Sequence, residues 1–213
     1  IILPPEEKKI EGPEIIIPTS LIPVNATETL EIMNSSEIPA LLSQLLEKTF
    51  ETEEYIRILF ENINENKVVG LREFFEAFEV KTPEGLLEKL NNDFTLFIFS
   101  SGNKNHLGFV TKIENKENLL NSLFSWEATM EKDTEKLFEV LGKEGPALSS
   151  SFKTGFHQEI SFRFLTISRE DFGICYVWFD DYFVFTSSLE NIKKTIDLIK
   201  AGTLENQIGQ MYI

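Results

Sequence analysis

The spacing of apolar residues along the chain changes from a helical period to alternation near residue 93. Before that point apolar side chains recur every three or four positions, which predicts short amphipathic helices. These helices are predicted over 35–50, 52–64, 71–80 and 82–90. A short strand over 26–32 precedes them. We therefore expect 25–92 to form a mainly helical segment.

From residue 93 onward the pattern is typical of strands joined by tight turns. Alternation and a high aromatic content predict five strands. They cover 94–100, 106–113, 159–167 and the two segments on either side of Asp180 and Asp181. A long helical stretch over 115–142 falters near 127–134, and a last helix covers 188–200. Hairpins followed by helices predict an α+β domain. Its sheet should be mostly antiparallel, with five or more strands and helices packed on one face.

The first 24 residues contain five prolines. Because proline removes backbone donors, we expect 1–24 to be an extended tether or an edge strand. The opening letters IILPP resemble the exit from a membrane anchor, although a boundary in an ordinary linker would look the same. The sheet region is then 93–213, and 25–213 is expected to form one compact unit.

Charge narrows the possible partners. The chain carries a formal net charge of −15, with 35 acidic and 20 basic side chains. Phosphate binding needs clustered Lys and Arg, so a nucleic-acid partner is not expected. Anionic lipid surfaces are disfavoured for the same reason, and membrane attachment is expected only through an anchor outside this sequence. The single cysteine, Cys175, cannot form an intramolecular disulfide and lies in an apolar strand.

Candidate catalytic groups are few. Asp180 and Asp181 could bind a cation, but aspartate is also a favoured turn residue, and we interpret the pair as a turn. His106 and His157 have no metal-ligand spacing around them. The serines at 149–151 lie outside any nucleophile elbow. The sequence therefore predicts no catalytic residue, no cofactor and no metal ligand.

One short segment is a candidate for specific recognition. Trp126 and Glu127 lie in mid-helix, with Met130 one turn later, so the three could line a groove or an interaction surface. In the alternative, Trp126 covers the sheet and Glu127 points to water or pairs with a lysine.

The same segment carries a resemblance. Trp126-Glu127-Ala128-Thr129-Met130, together with a hairpin ending in Thr186-Ser187 before the last helix, resembles uncharacterised bacterial proteins that have an N-terminal membrane anchor and an extracytoplasmic region. The resemblance covers roughly 67–200. It implies a place on the extracytoplasmic face of the bacterial cell envelope and a similar architecture. It implies no activity and no site.

Three functions remain open. The first is a non-enzymatic envelope domain that binds a protein partner or assembles with copies of itself, using a sheet edge that could accept a strand. The second is a small-ligand-binding module with a pocket between helices and sheet. The third, ranked last, is a hydrolase with a dispersed carboxylate site.

Overall fold

The computed structural model describes residues 15–102 and 104–211, and side chains only as far as 203. Within these residues the chain forms nine strands and six α-helices. The strands are β1 (Ala26–Ile32), β2 (Tyr55–Asn62), β3 (Lys67–Val68), β4 (Leu90–Ser100), β5 (Asn105–Ile113), β6 (Lys153–His157), β7 (Ile160–Ser168), β8 (Phe172–Phe179) and β9 (Tyr182–Thr186). The helices are α1 (Ile38–Leu46), α2 (Leu71–Ala77), α3 (Leu119–Trp126), α4 (Met130–Asp133), α5 (Glu135–Val140) and α6 (Leu189–Met211).

All nine strands belong to one sheet. Its order is β1-β2-β4-β5-β9-β8-β7-β6, with β3 paired to β2 beside this path. Only β1 and β2 are parallel, joined through α1, and every other pair is antiparallel. The predicted α+β class with a mostly antiparallel sheet of five or more strands is confirmed.

Both faces of the sheet are apolar in its centre, so both need cover. On β4, Leu96 and Ile98 face the core beneath α1 to α5, whereas Phe97 faces a second core beneath α6. In the first core Phe109 packs within 5.4 to 6.0 Å of the rings of Phe94, Phe183 and Phe185. Helices therefore lie on both faces, whereas the sequence pattern placed them on one.

Two of the predicted helices are wrong. The segment 52–64 forms β2, whose residues are buried on both faces, and a continuous apolar run of this kind does not reveal its period. The segment 82–90 forms only a short 3-10 turn before β4. The region 25–92 thus supplies three strands as well as α1 and α2, which were predicted. The expected break near 127–134 is confirmed, because α3 ends at Trp126 and α4 begins at Met130.

Residues 15–24 contain no strand and lie across the face that α6 also covers. Ile22 is buried there, and the Leu21 amide donates to Thr95 Oγ1 at 2.8 Å. Arg57 Nη2 donates to the Pro18 carbonyl at 2.6 Å. Arg57 Nε has no hydrogen-bond partner among the described residues, and burial lowers the pKa of this guanidinium. The predicted tether upstream, 1–14, lies outside the described residues.

No helix in the described part of the chain is long and apolar enough to cross a bilayer.

Candidate interaction edge and groove

Two members of the predicted interaction surface are buried. Trp126 is 2% exposed and Met130 is completely buried, both in the core beneath α1 to α5. The Trp126 indole donates from Nε1 to Asp133 Oδ2 at 3.1 Å. The prediction that Trp126 and Met130 form a surface is therefore wrong, because tertiary packing uses them to seat α3 and α4 on the sheet.

Glu127, the third member, accepts the hydrogen bonds of a partly buried network. Its carboxylate receives two hydrogen bonds from Arg163 on β7 and one from the Tyr176 hydroxyl on β8, all within 2.7 Å. The Glu127 hydrogen bonds raise the pKa of Arg163, and burial raises the pKa of Tyr176. This network holds α3 against the sheet, and its carboxylate oxygens are already occupied.

The other residues considered for chemistry have structural surroundings. Asp180 has a left-handed φ of 51° at the turn between β8 and β9, and Asp181 pairs with Lys116 at 2.7 Å. That bond lowers the pKa of Asp181. The interpretation of the two aspartates as a turn is confirmed. Cys175 is buried, and burial raises the pKa of its thiol.

The two histidines lie in separate places. His106 is buried with Nε2 3.3 Å from Ser101 Oγ, and burial lowers its pKa. His157 Nε2 lies 2.6 Å from Asp197 Oδ1 of α6. The described residues contain no group of three or more His, Cys, Asp or Glu side chains placed to hold a metal ion.

In the described residues strand β6 pairs with β7 alone and so forms one edge of the sheet, where it exposes a large aromatic side chain. Phe156 is 72% exposed. Thr154, two residues earlier and therefore on the same face, accepts a hydrogen bond from Arg163 Nη1 at 2.5 Å. This is the face covered by α3. Phe156 thus lies at the outer border of that face, with no helix above it in the described residues.

Two more rings lie on the same face, the exposed Phe124 and the partly buried Trp178. Phe124 of α3 is 45% exposed and meets Trp178 of β8 edge to face at 5.9 Å. The Arg163 guanidinium carbon lies 5.4 Å from the Phe124 ring. We name Phe124, Phe156 and Trp178 the aromatic patch. Isolated exposed apolar residues are normal, but aromatic rings grouped beside an edge strand mark a surface suited to a protein partner.

A groove of about 760 Å³ opens at one end of the sheet. It lies between the loop after α1, the β4–β5 hairpin, the end of α5 and the β7–β8 turn. Its apolar walls are Leu46, Phe50, Val140, Leu141, Ile167 and Phe172. Lys48 and Lys104 at its rim are already paired with Glu28 and Glu170. The groove can therefore take a small molecule by shape, but both lysines that line it in the described part of the chain are already paired.

The comparisons with known proteins found no relative whose structure or function could be set beside this geometry. No protein-family model matches the chain, and no curated protein or solved structure matches it.

The sequence reasoning missed β6 and with it Phe156. The turn from β6 into β7 has positive φ at both Gln158 and Glu159, 47° and 67°. Asn-Gly or Asp-Gly usually occupies such a turn, so Gln-Glu gives no recognisable signal. The sequence feature that could have revealed β6 is the alternation of Thr154 and Phe156 just before the predicted strand over 159–167.

Proposed function

We propose that this domain is a non-enzymatic protein-binding module whose β6 edge accepts an extended segment of a protein partner. The observation that carries the proposal is the exposure of Phe156 on β6, an edge strand that pairs with β7 alone in the described residues. A free edge offers backbone donors and acceptors for a further strand, and exposed side chains beside it give specificity.

The aromatic patch supports this function over catalysis. Rings at a contact surface supply large apolar area at low conformational cost, and such residues often dominate binding energy. The partner would lay one strand along β6 while its side chains cover Phe156. Phe124 and Trp178 would then form the inner part of the same contact.

The experiment places a photo-crosslinking residue at position 156 in cells of the source organism. Position 16 receives the same residue as the control, because Ile16 is also apolar and 87% exposed but belongs to the segment 15–24, which crosses the face that α6 covers. Partners captured only from position 156 are identified by mass spectrometry and purified. Their affinity is then measured for the wild type, Phe156→Ser and Ile16→Ser.

We expect Phe156→Ser to weaken binding by roughly tenfold or more, as the loss of a central aromatic contact does. Ile16→Ser should bind like the wild type. Both variants should stay folded, because substitutions of exposed side chains change stability by only about 0.5 kcal/mol. Equal affinity of Phe156→Ser and the wild type would contradict the proposal.

The groove supports a second candidate function, binding of a small molecule. Its volume of about 760 Å³ falls within the range of ligand pockets, roughly 300 to 1,000 Å³. Native mass spectrometry of protein purified from its own cells tests this. We expect an added small-molecule mass that disappears in Val140→Trp, which fills the groove. Protein that carries no added mass in repeated preparations would remove this candidate.

The location of the domain in the cell is also a proposal. The resemblance to membrane-anchored bacterial proteins supports a position on the extracytoplasmic face of the cell envelope. Protease accessibility of the full-length protein in intact cells and in lysed cells measures this. Digestion only after lysis would contradict it.

A further inference from the structure

The two edges of the sheet carry opposite charge. On β6, Lys153 and His157 are the ionisable residues, and His157 Nε2 lies 2.6 Å from Asp197 Oδ1 of α6. At the other edge, β1 contains Glu28, which pairs with Lys48 at 2.9 Å, and Glu31. Lys153 and Glu31 have no ion-pair partner in the described residues. In a chain of net charge −15, the β6 edge is a local exception.

The two edge strands also run in the same direction. β1 is parallel to β2, and six antiparallel steps through β4, β5, β9, β8 and β7 then lead from β2 to β6. An even number of reversals restores the direction. A second copy placed beside β6 with its β1 edge, and with its faces turned the same way, therefore meets β6 in parallel.

The side chains then match on both faces. Thr27, Thr29 and Glu31 share the face of Arg57, which α6 covers, and Glu28 and Leu30 share the opposite face. Lys153 and His157 also lie on the α6 face, because His157 contacts Asp197. Phe156 lies on the other face. When Phe156 is set opposite Leu30, His157 falls opposite Glu31 and Lys153 opposite Thr27.

We propose that β6 of one copy pairs in parallel with β1 of a second copy, so that copies join head to tail through a continuous sheet. This inference rests on the proposed function, since it uses the same edge and names the partner as this chain itself. Because one copy offers two different edges, the contact does not close on itself and chains of copies form. Sheet twist turns each copy relative to the last, so the chain of copies follows a helical path.

A two-fold contact between two β6 strands is the competing arrangement. It would be antiparallel and would bring Lys153 of each copy towards His157 of the other when centred on Gly155. Two basic side chains would then face each other, whereas the parallel arrangement sets Lys153 opposite Thr27 and His157 opposite Glu31, a carboxylate with no ion-pair partner in the described residues. Charge complementarity thus favours the β1 edge as the occupant.

Cross-linking between two cysteine variants tests the arrangement. Thr27→Cys and Lys153→Cys are at exposed positions, opposite each other in the proposed register, and the native Cys175 is buried. Strands in one sheet lie about 5 Å apart, a distance that a disulfide can span. Each variant alone, their mixture and a mixture of Thr27→Cys with Ile16→Cys are oxidised at roughly 0.5 mM protein, since a contact made by one pair of edge strands is expected to be weak.

We expect the mixture of Thr27→Cys and Lys153→Cys to form disulfide dimers at least about tenfold faster than either variant alone or the Ile16→Cys control mixture. The double variant should give a ladder of longer species. Equal rates in all samples, or dimers from Lys153→Cys alone, would overturn the inference. If these results occur while Phe156→Ser still loses a different purified partner, the proposed function stands and only the self-assembly fails.

Discussion

The Arg163 guanidinium binds the Glu127 carboxylate with two hydrogen bonds, Nε to Oε1 at 2.6 Å and Nη2 to Oε2 at 2.7 Å. The pair joins α3 to β7, and the two side chains are only 19% and 15% exposed. A two-point contact of this kind fixes the position of both groups more strictly than a single ion pair does. The segment that looked like a recognition motif is therefore a joint between a helix and the sheet.

Replacing Arg163 by Met should destabilise the fold by about 2 kcal/mol, because the Glu127 carboxylate would stay partly buried without its cation. Glu127→Gln keeps the shape and should cost less. Urea unfolding followed by circular dichroism measures both. The exposed pair of Lys104 and Glu170 provides the control, since Lys104→Gln should hardly move the midpoint. An unchanged midpoint for Arg163→Met would show that the pair does not hold α3 in place.

The sequence could mark this segment but could not assign its role. Trp126, Glu127 and Met130 stand out as residue types, yet their meaning depends on Arg163 and Tyr176, which lie 36 and 49 residues away in the chain. Long-range partners of this kind leave no local pattern. The structure supports the alternative interpretation, in which Trp126 covers the sheet.

The secondary structure also divides into elements that the sequence could predict and elements that it could not. The hairpin β8–β9 and helix α6 could be predicted because aspartates mark the turn and serines precede the helix. Strand β2 could not be predicted, because its first six residues are all buried and the sequence therefore shows no alternation of apolar and polar residues. The edge β6 was missed because its turn uses Gln158 and Glu159. Prediction from neighbouring residues fails where burial by distant parts of the chain, or an unusual turn, determines the secondary structure.

Gly108 should not tolerate alanine. A Cβ built at this position would lie 2.5 Å from Phe97 Cζ and 3.1 Å from Asn191 Nδ2, between β4 and α6. We expect Gly108→Ala to destabilise the fold by about 1 to 3 kcal/mol through overpacking. Gly202→Ala is the matched control, because nothing lies within 4 Å of its Cβ and it is in a helix. That variant should be as stable as the wild type or slightly more stable. Equal midpoints for the two variants in thermal unfolding would contradict this packing.

Cys175 should react with thiol reagents only when the fold opens. The side chain is buried in the core beneath α6, and burial raises the pKa of its thiol, so the reactive thiolate is scarce in the folded protein. We expect no labelling by a disulfide reagent at pH 8 in native buffer and complete labelling in urea. The labelling rate in low urea should follow the fraction of unfolded protein. Rapid labelling in native buffer would show that α6 detaches from β8 locally.

His106 should make the fold less stable in mild acid. Burial lowers the pKa of its imidazole, so the folded protein binds this proton less readily than the unfolded chain, whose histidine has a pKa of about 6.5. Stability from this residue is therefore fully present above the unfolded pKa and is lost as the pH falls below it. The loss cannot exceed about 1.4 kcal/mol per pH unit for one proton.

The comparison of wild type with His106→Gln isolates this effect. Both proteins are unfolded with urea at pH 7.5, 6.5 and 5.5, and the difference between their free energies of unfolding is taken at each pH. We expect the wild type to lose more stability than the variant between pH 6.5 and 5.5, because only the wild type gains a proton at this position on unfolding. A difference that stays constant with pH would show that His106 is protonated as easily inside the fold as in water, and hence that its site is open to solvent.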